Sequence, residues 1–211
     1  VLAALRSAVL LGIDAVPVQI EVDVAHGLPQ FAVVGLPDAA VRESRDRVRA
    51  AIRNSGFEFP PHRITVNLAP ADLPKAGTSF DLAIAMGVLA TQGRLPDRAL
   101  AGTLVMGELS LDGGINPVRG MLAIALSARR TGIPRLIVPP ANAMEASVVE
   151  GLEVLPVSSL AQAVAAVASP GSVAPLPQWA PVPASRGQHP DLTDVSGQAF
   201  ARRALEIAAA G

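Results

Sequence analysis

Val16-Pro-Val-Gln-Ile-Glu-Val-Asp-Val24 carries the clearest structural signal in the chain. Valine or isoleucine occupies every second position, and proline, glutamine and acidic residues lie between them. A period of two built on β-branched residues predicts a strand with one buried face. Pro17 predicts that the strand starts there or lies at a sheet edge. The flanking segments 7–13 and 30–34 also have the composition of strands, so an antiparallel arrangement opens the chain.

Helical segments alternate with short apolar strands in the rest of the chain. Helices are predicted at 38–55, 79–89, 120–131, 143–149 and 160–167, and strands at 64–68, 104–111, 115–118, 135–138 and 153–157. This alternation is typical of an α/β layered domain. Because the opening strands are antiparallel, we expect an α/β (α+β) fold with packed helices on a mixed sheet, ending near Ala168.

Proline marks the predicted boundary between two domains. Residues 169–190 include six prolines, which fix φ and withhold a hydrogen-bond donor, so we expect a stiff linker there. A helix predicted at about 199–210 cannot bury its apolar face alone. We therefore expect residues 1–168 to form one domain and 191–211 to be the start of a second.

Composition excludes several classes of protein. Hydrophobic residues make up 50% of the 211 residues, which excludes a wholly disordered chain, and the net charge of −1 gives no global attraction to nucleic acid or anionic lipid. The absence of cysteine excludes disulfides and thiolate sites and is compatible with a reducing cytoplasm. No run of roughly 20 apolar residues predicts a membrane span, and residues 1–18 do not fit a signal peptide.

Arginine accounts for 16 of the 17 basic residues, and several arginines lie on one predicted helix. Asp38 is a suitable N-cap for this helix, and Asn54-Ser55-Gly56 is a suitable end. At about 100° per residue, four arginines fall on a stripe about 80° wide, beside a predicted buried face of Val41, Val48 and Ile52. These four are Arg42, Arg45, Arg49 and Arg53. The stripe fits contacts with phosphate, or a solvated face in which Glu43 and Asp46 pair with it.

Nucleophilic catalysis has one candidate serine. Ser79 lies at a helix start after the loop Lys75-Ala-Gly-Thr, where it could be a nucleophile or a helix cap. The possible bases are Lys75, which is the only lysine, and three histidines without a surrounding motif, so no organised triad is visible. These histidines are His26, His62 and His189. No phosphate-binding loop of the type Gly-x-x-x-x-Gly-Lys-[Ser/Thr] and no metal-ligand spacing occurs.

Several long segments together resemble a known family. They are Gly35-Leu-Pro-Asp-Ala-Ala-Val-Arg-Glu-Ser-Arg45, Arg47-Val-Arg-Ala-Ala-Ile-Arg-Asn-Ser-Gly-Phe57, Ile64-Thr-Val-Asn-Leu-Ala-Pro-Ala-Asp72, Gly107-Glu-Leu-Ser-Leu-Asp-Gly113 and Arg135-Leu-Ile-Val-Pro139. They resemble the bacterial magnesium-chelatase-like AAA+ ATPases of the YifB/ComM family. The resemblance covers nearly all of 1–168 and resumes at 191–211.

The resemblance implies a Lon-protease-like N-terminal domain of the ribosomal protein S5 domain 2-like type, followed by an ATPase domain. Val195, Gly197 and Gln198 match the segment that lies near the adenine in such ATPases. The parent protein would bind ATP and Mg and would form a homo-oligomer, a hexamer, through the ATPase domain. We expect no cofactor and no metal for the fragment alone, no membrane contact, and a cytoplasmic location.

A residue-level comparison with Lon proteases bears on catalysis. Ser79 matches the serine of their serine–lysine dyad, whereas Leu122 occupies the lysine position. We therefore expect a non-proteolytic accessory domain, no catalytic residue, and Ser79 as a helix cap. ComM-type members resemble helicases that drive branch migration, so the arginine stripe would meet DNA or a neighbouring subunit. The alternatives are a Lon-like serine peptidase and an ATPase subunit of a magnesium chelatase; the latter begins directly with the ATPase domain.

Overall fold

A computed structural model describes residues 1–169, 171–177 and 192–210. The chain divides into two units, Val1–Trp179 and Ala180–Gly211. Most of the predicted linker lies outside the described residues, so the division into 1–168, 169–190 and 191–211 remains a prediction.

The first unit contains nine described strands and six described helices. The strands are β1 (Leu2–Leu11), β2 (Asp14–Ala25), β3 (Gln30–Val34), β4 (Arg63–Ala69), β5 (Thr103–Val105), β6 (Glu108–Leu109), β7 (Ile115–Asn116), β8 (Arg135–Val138) and β9 (Glu153–Pro156). The helices are α1 (Ala39–Asn54), α2 (Asp81–Thr91), α3 (Asp97–Ala101), α4 (Met121–Arg130), α5 (Pro140–Ser147) and α6 (Leu160–Ala168). The second unit contains a 3-10 turn, Leu192–Asp194, and α7 (Ala199–Ala210).

Seven strands form one mixed sheet in the order β3-β4-β2-β1-β5-β8-β9. β2 runs antiparallel to both β1 and β4, and the other neighbouring pairs are parallel. Helices α1, α2 and α6 share a core with one face of this sheet, and α4 and α5 share a core with the other. The predicted α/β class with a mixed sheet and packed helices is confirmed.

The predicted alternation of β2 is confirmed, because Val18, Ile20 and Val22 are buried. The expectation that Pro17 starts the strand or lies at a sheet edge is wrong, since β2 begins at Asp14 and lies between two other strands. β4 ends at Ala69, opposite Gln19, so it does not reach the proline. The N–H that Pro17 lacks therefore interrupts no hydrogen-bond ladder on the β4 side of β2.

The first strand is longer than its composition predicted. β1 begins at Leu2 rather than at residue 7 and pairs with β2 over its whole length, from Leu2–Asp23 to Leu11–Asp14. Gly12, with a φ of +62°, begins the tight turn between them. The partner strand therefore sets the start of β1, where β-branched residues are absent.

The single strand predicted at 104–111 is wrong. β5 ends at Val105, and Gly107 leaves the sheet to contact the start of α2, where its N–H donates to the Ser79 carbonyl at 3.1 Å. The Gly107 carbonyl accepts the Leu82 N–H at 3.1 Å. β6 then pairs with β7 in a separate two-stranded sheet. These tertiary hydrogen bonds replace the continuous ladder.

Gly35 joins β3 to α1 with a φ of +96°, which an L side chain rarely adopts. A Cβ built there would overlap the Leu68 carbonyl oxygen of β4. We expect Gly35→Ala to lower the free energy of unfolding by about 3 kcal/mol, the upper end of the range for backbone strain.

Gly56→Ala is the matched control, because Gly56 also has a positive φ, +82°, but a Cβ there would meet no described atom within 4 Å. This variant should lose about 1 kcal/mol, the cost of a left-handed residue alone. Urea unfolding followed by circular dichroism measures both. Equal losses would contradict the close approach of Gly35 to β4.

Candidate functional site

Asp38 organises the start of α1, as predicted for the N-cap. One carboxylate oxygen accepts the Val41 N–H at 2.8 Å, and the other accepts the Gly77 N–H at 3.0 Å. The helix ends at Asn54 with Ser55 as its C-cap, and Gly56 follows with a positive φ. Asp38 therefore caps α1 and also connects it to the loop that carries Ser79.

The four arginines of the predicted stripe are all exposed on α1. The predicted buried face is confirmed, because Val41, Val48 and Ile52 are in the core. We call Arg42, Arg45, Arg49 and Arg53 the arginine stripe. Its side chains are available to an anionic partner.

The stripe has only local partners among the described residues. Arg42 donates to the Pro37 carbonyl at 3.0 Å, and Arg45 pairs with Asp46 at 3.1 Å. The guanidinium of Arg49 lies 5.4 Å from the centre of the Phe59 ring. The pairing with Asp46 fits a solvated face, and the free edges of the guanidiniums fit phosphate, so both interpretations remain open.

Ser79 is half-buried in a cavity of about 430 Å³. β1 contributes residues 8–10, the loop before α2 contributes 76–79, and the segment before α4 contributes 117–119. Glu108 and Arg119 are the charged residues in the lining. Among the described residues, the Ser79 hydroxyl has no hydrogen-bond partner.

None of the described residues predicted as a base lines the Ser79 cavity, and the Glu108 carboxylate in its lining accepts hydrogen bonds from Thr78 and Asn116 rather than from Ser79. Lys75 is fully buried, and its ammonium donates to the Pro70 carbonyl rather than lining the Ser79 cavity. Burial lowers the pKa of the Lys75 ammonium, and the charge of Asp72 opposes that shift. His26 and His62 line a different cavity, and His189 lies outside the described residues.

Leu122 lies on α4 and does not line the Ser79 cavity. Its side chain is 40% exposed, in a surface depression that it shares with Ile13 and Leu126. Its N–H donates to Glu145 at 2.9 Å.

The cation in the Ser79 cavity is Arg119, which the sequence analysis missed although it lies three positions before Leu122. A guanidinium does not serve as a base, because it stays protonated.

The expectation that Ser79 caps α2 is wrong. α2 starts at Asp81, and Phe80 is its N-cap without a side-chain hydrogen bond. The Asp81 N–H donates to the Thr78 carbonyl at 3.2 Å, and the Leu82 N–H donates to Gly107 at 3.1 Å. These contacts satisfy the first-turn donors that a serine cap would otherwise serve.

Arg47 and Asp81 form an ion pair that the sequence analysis missed. Arg47 donates to the Asp81 carboxylate from Nε at 2.6 Å and from Nη2 at 3.0 Å. Asp81 is 1% exposed and also accepts the Leu109 N–H at 3.4 Å. Burial raises the pKa of the Asp81 carboxyl, and the hydrogen bonds from Arg47 oppose this shift only in part. The helical position of Arg47, about 140° from Arg42, is a signal that separates it from the stripe.

The comparison with known families rests on the first unit. A family model described as subunit ChlI of Mg-chelatase matches residues 20–142. The chain belongs to the family of the magnesium-chelatase subunit ChlI. The match runs from within β2 to the start of α5, and it includes α1 and Ser79.

Relatives of this ChlI-family chain are found in distant bacteria. An uncharacterized protein of Mycobacterium tuberculosis is 46% identical over 206 residues, 97% of this chain and 40% of the relative. YifB of Escherichia coli is 41% identical over 210 residues, which cover all of this chain and 41% of YifB. The competence protein ComM of Haemophilus influenzae is 40% identical over 213 residues, which cover all of this chain and 42% of ComM. The chain spans about two fifths of the length of these curated relatives.

A more distant similarity concerns the Lon-like expectation. A Lon protease of Chloroflexus aurantiacus is 31% identical over 134 residues, 60% of this chain and 16% of that protein. This similarity agrees with the resemblance on which Ser79 and Leu122 were compared with the Lon dyad.

The second unit carries the residues predicted near an adenine. Val195, Gly197 and Gln198 are exposed, and the last two have φ of +72° and +52°. The Gln198 carbonyl accepts the Arg202 N–H at 3.0 Å, so this turn leads directly into α7. Across the described ranges no group of three or more histidine, cysteine or acidic side chains could hold a metal, and no described helix could span a membrane.

The Arg47–Asp81 pair predicts a large loss of stability in Arg47→Ala. Removing one partner of a buried pair leaves an uncompensated charge and costs roughly 3–5 kcal/mol; we expect about 3 kcal/mol, since the Arg47 side chain is 21% exposed. Arg45→Ala on the same helix removes an exposed pair and should cost less than about 1 kcal/mol.

The loss of unfolding free energy in Arg47→Ala should depend on pH. The pKa of Asp81 is already above 3.8 in the folded chain, and losing Arg47 raises it further. Since the protonated carboxyl carries no buried charge, the variant is destabilised as pH rises through this raised pKa and recovers as pH falls towards about 4. Urea unfolding at several pH values measures this difference from the unchanged chain. A pH-independent difference would contradict the prediction.

Proposed function

We propose that this chain is a non-proteolytic accessory domain of a magnesium-chelatase-like AAA+ ATPase that acts on DNA. The observation that carries the proposal is the Ser79 cavity, in which no described residue is hydrogen-bonded to the serine hydroxyl and the one carboxylate, Glu108, accepts from Thr78 and Asn116 instead. Lys75 is bound to Pro70, and Leu122 lies on another surface. A serine nucleophile without a base is not activated at neutral pH.

The DNA part of the proposal is supported by the exposed arginine stripe and by the relationship to ComM. ComM is named a competence protein, and competence is the capacity to take up DNA. Guanidinium groups match phosphate oxygens, and the stripe places four of them on one face of α1. In this proposal the parent protein drives helicase-type branch migration in the cytoplasm, and the stripe contacts the backbone of its substrate.

The motor of the proposed protein requires ATP and Mg and assembles as a homo-oligomer, a hexamer, through its ATPase domain. Val195, Gly197 and Gln198 would contribute the edge of the adenine site. These residues form an exposed turn and include no phosphate-binding loop, so they do not fit a whole nucleotide by themselves. We therefore assign no step of ATP hydrolysis to this chain.

A second candidate function is that of an ATPase subunit in magnesium insertion. The family match to ChlI favours it, although that match lies within residues 20–142, before the predicted start of the ATPase domain. A porphyrin metal-insertion assay with the intact protein distinguishes the two functions.

Ser79 should not react with a fluorophosphonate probe, because no described residue is hydrogen-bonded to its hydroxyl to activate it. The matched control is Ser79→Cys, which places a single thiol in a chain without cysteine. We expect this variant to react with a small maleimide and so to show that the position is accessible. Mass spectrometry measures both adducts. A fluorophosphonate adduct that disappears in Ser79→Ala would contradict the non-proteolytic assignment.

Arg45→Ala combined with Arg49→Ala should weaken binding of the intact protein to duplex DNA and reduce its dependence on salt. Each lost phosphate contact reduces the magnitude of the slope of log K against log salt by about 0.9, so this magnitude should be smaller by about 2 in the double variant. Arg129→Ala with Arg130→Ala makes the same change of charge on exposed positions of α4. Unchanged affinity of the first variant across the salt titration would exclude the stripe as a DNA contact.

A further inference from the structure

Ring side chains are scarce in this chain but cluster at one place. Aromatic residues make up 3% of the sequence. The described residues include seven phenylalanine and histidine rings, and four of these line two cavities that share the segment before β4; one cavity also lies against α1 and the start of β3, and the other against the ends of β2 and α2. The four are His26, Phe31, Phe59 and His62. We call this surface the ring groove.

The ring groove consists of two adjoining cavities. One has a volume of about 430 Å³ and the other about 590 Å³, and Phe59, Pro60 and His62 line both. The rings of Phe31 and Phe59 lie nearly parallel, with centres 6.3 Å apart and planes at 25°. Those of His26 and His62 meet edge to face at 5.3 Å. Phe31, Phe59 and His62 are half-buried and His26 is exposed, so each ring offers part of its surface to the cavities, with Arg49 over the Phe59 ring.

Three guanidinium groups flank these rings. Arg45 and Arg49 come from the arginine stripe, and Arg94 lines the far cavity. Two carboxylates, Asp46 and Glu58, also line the groove, and Asp46 is already paired with Arg45. The groove thus combines planar apolar surface with a small excess of positive charge.

We propose that the ring groove binds a single-stranded segment of nucleic acid. The rings stack with bases, and Arg49 and Arg94 hold the phosphates on either side. This inference rests on the proposed function, since the stripe would bring DNA to the rim of the groove. A duplex keeps its base faces stacked inside, so only a single strand can present them to the rings.

The arrangement favours nucleic acid over an acidic peptide. A peptide of this kind needs the guanidiniums but has no planar groups for four clustered rings. Nucleic acid supplies both, because every nucleotide pairs a phosphate with a flat base. Base–aromatic stacking contributes largely independently of sequence, so we expect little preference among bases.

The test compares oligonucleotide binding by the intact protein and its variants. Phe59→Leu and His62→Ala remove rings from the groove, and Phe57→Leu is the matched control, a half-buried phenylalanine that does not line either cavity. Fluorescence anisotropy measures the Kd for a thymidine oligonucleotide and for a duplex of equal length. Urea unfolding of each variant identifies any loss of stability.

We expect Phe59→Leu with His62→Ala to weaken single-strand binding by about fivefold or more, with little change for the duplex or in Phe57→Leu. An oligonucleotide containing 2-aminopurine should be quenched on binding to the unchanged protein and less quenched by the double variant. Quenching reports stacking directly, which a purely structural role of the rings would not affect.

Three outcomes would overturn the inference, and they differ in what else they exclude. If both nucleic acids bind and the ring variants do not differ from Phe57→Leu, the groove is excluded but the proposed action on DNA is not. If neither nucleic acid binds, both proposals fail. If polyglutamate displaces the oligonucleotide from the unchanged protein and binds the ring variants equally well, the surface is an electrostatic site for acidic protein.

Discussion

The ion pair between Arg47 and Asp81 is the constraint on which the arginine stripe and the Ser79 cavity both depend. Asp81 begins α2 and is almost fully buried, so its charge needs a partner, and Arg47 supplies it from the middle of α1. The same carboxylate accepts the Leu109 N–H from β6. One buried charge therefore holds together α1 with its arginine stripe, the loop that carries Ser79, and the small second sheet.

The Ser79 cavity places a serine near two charged side chains without a described hydrogen bond to either of them. The loop 76–79, β1 and the segment before α4 still enclose a serine. Among the residues that the structure describes, the hydroxyl has no partner, and the amine of Lys75 is bound to a carbonyl oxygen. Arg119 lies in the lining of this cavity, whereas Leu122 lies outside it in an exposed depression.

Much of the fold follows from local patterns. The alternation in β2, the cap at Asp38, the buried face of α1 and the mixed sheet could all be predicted, because each depends on neighbours a few residues apart. The start of β1 could not, since its first residues become a strand only through pairing with β2. The break at Gly107 and the helix start at Asp81 also escaped prediction, because hydrogen bonds from distant segments decide both.

The sequence by itself determined the family, most of the helices and strands, and the exposure of the arginine stripe, because periodicity and motif order are properties of the linear chain. Only the tertiary structure placed Arg47 against Asp81, turned Lys75 away from Ser79 and gathered three rings beside Arg49. Residues far apart in the chain meet at these places, and burial sets how strongly their charges interact. The physical reason is that desolvation and long-range packing depend on the folded neighbours of a side chain, which no local pattern specifies.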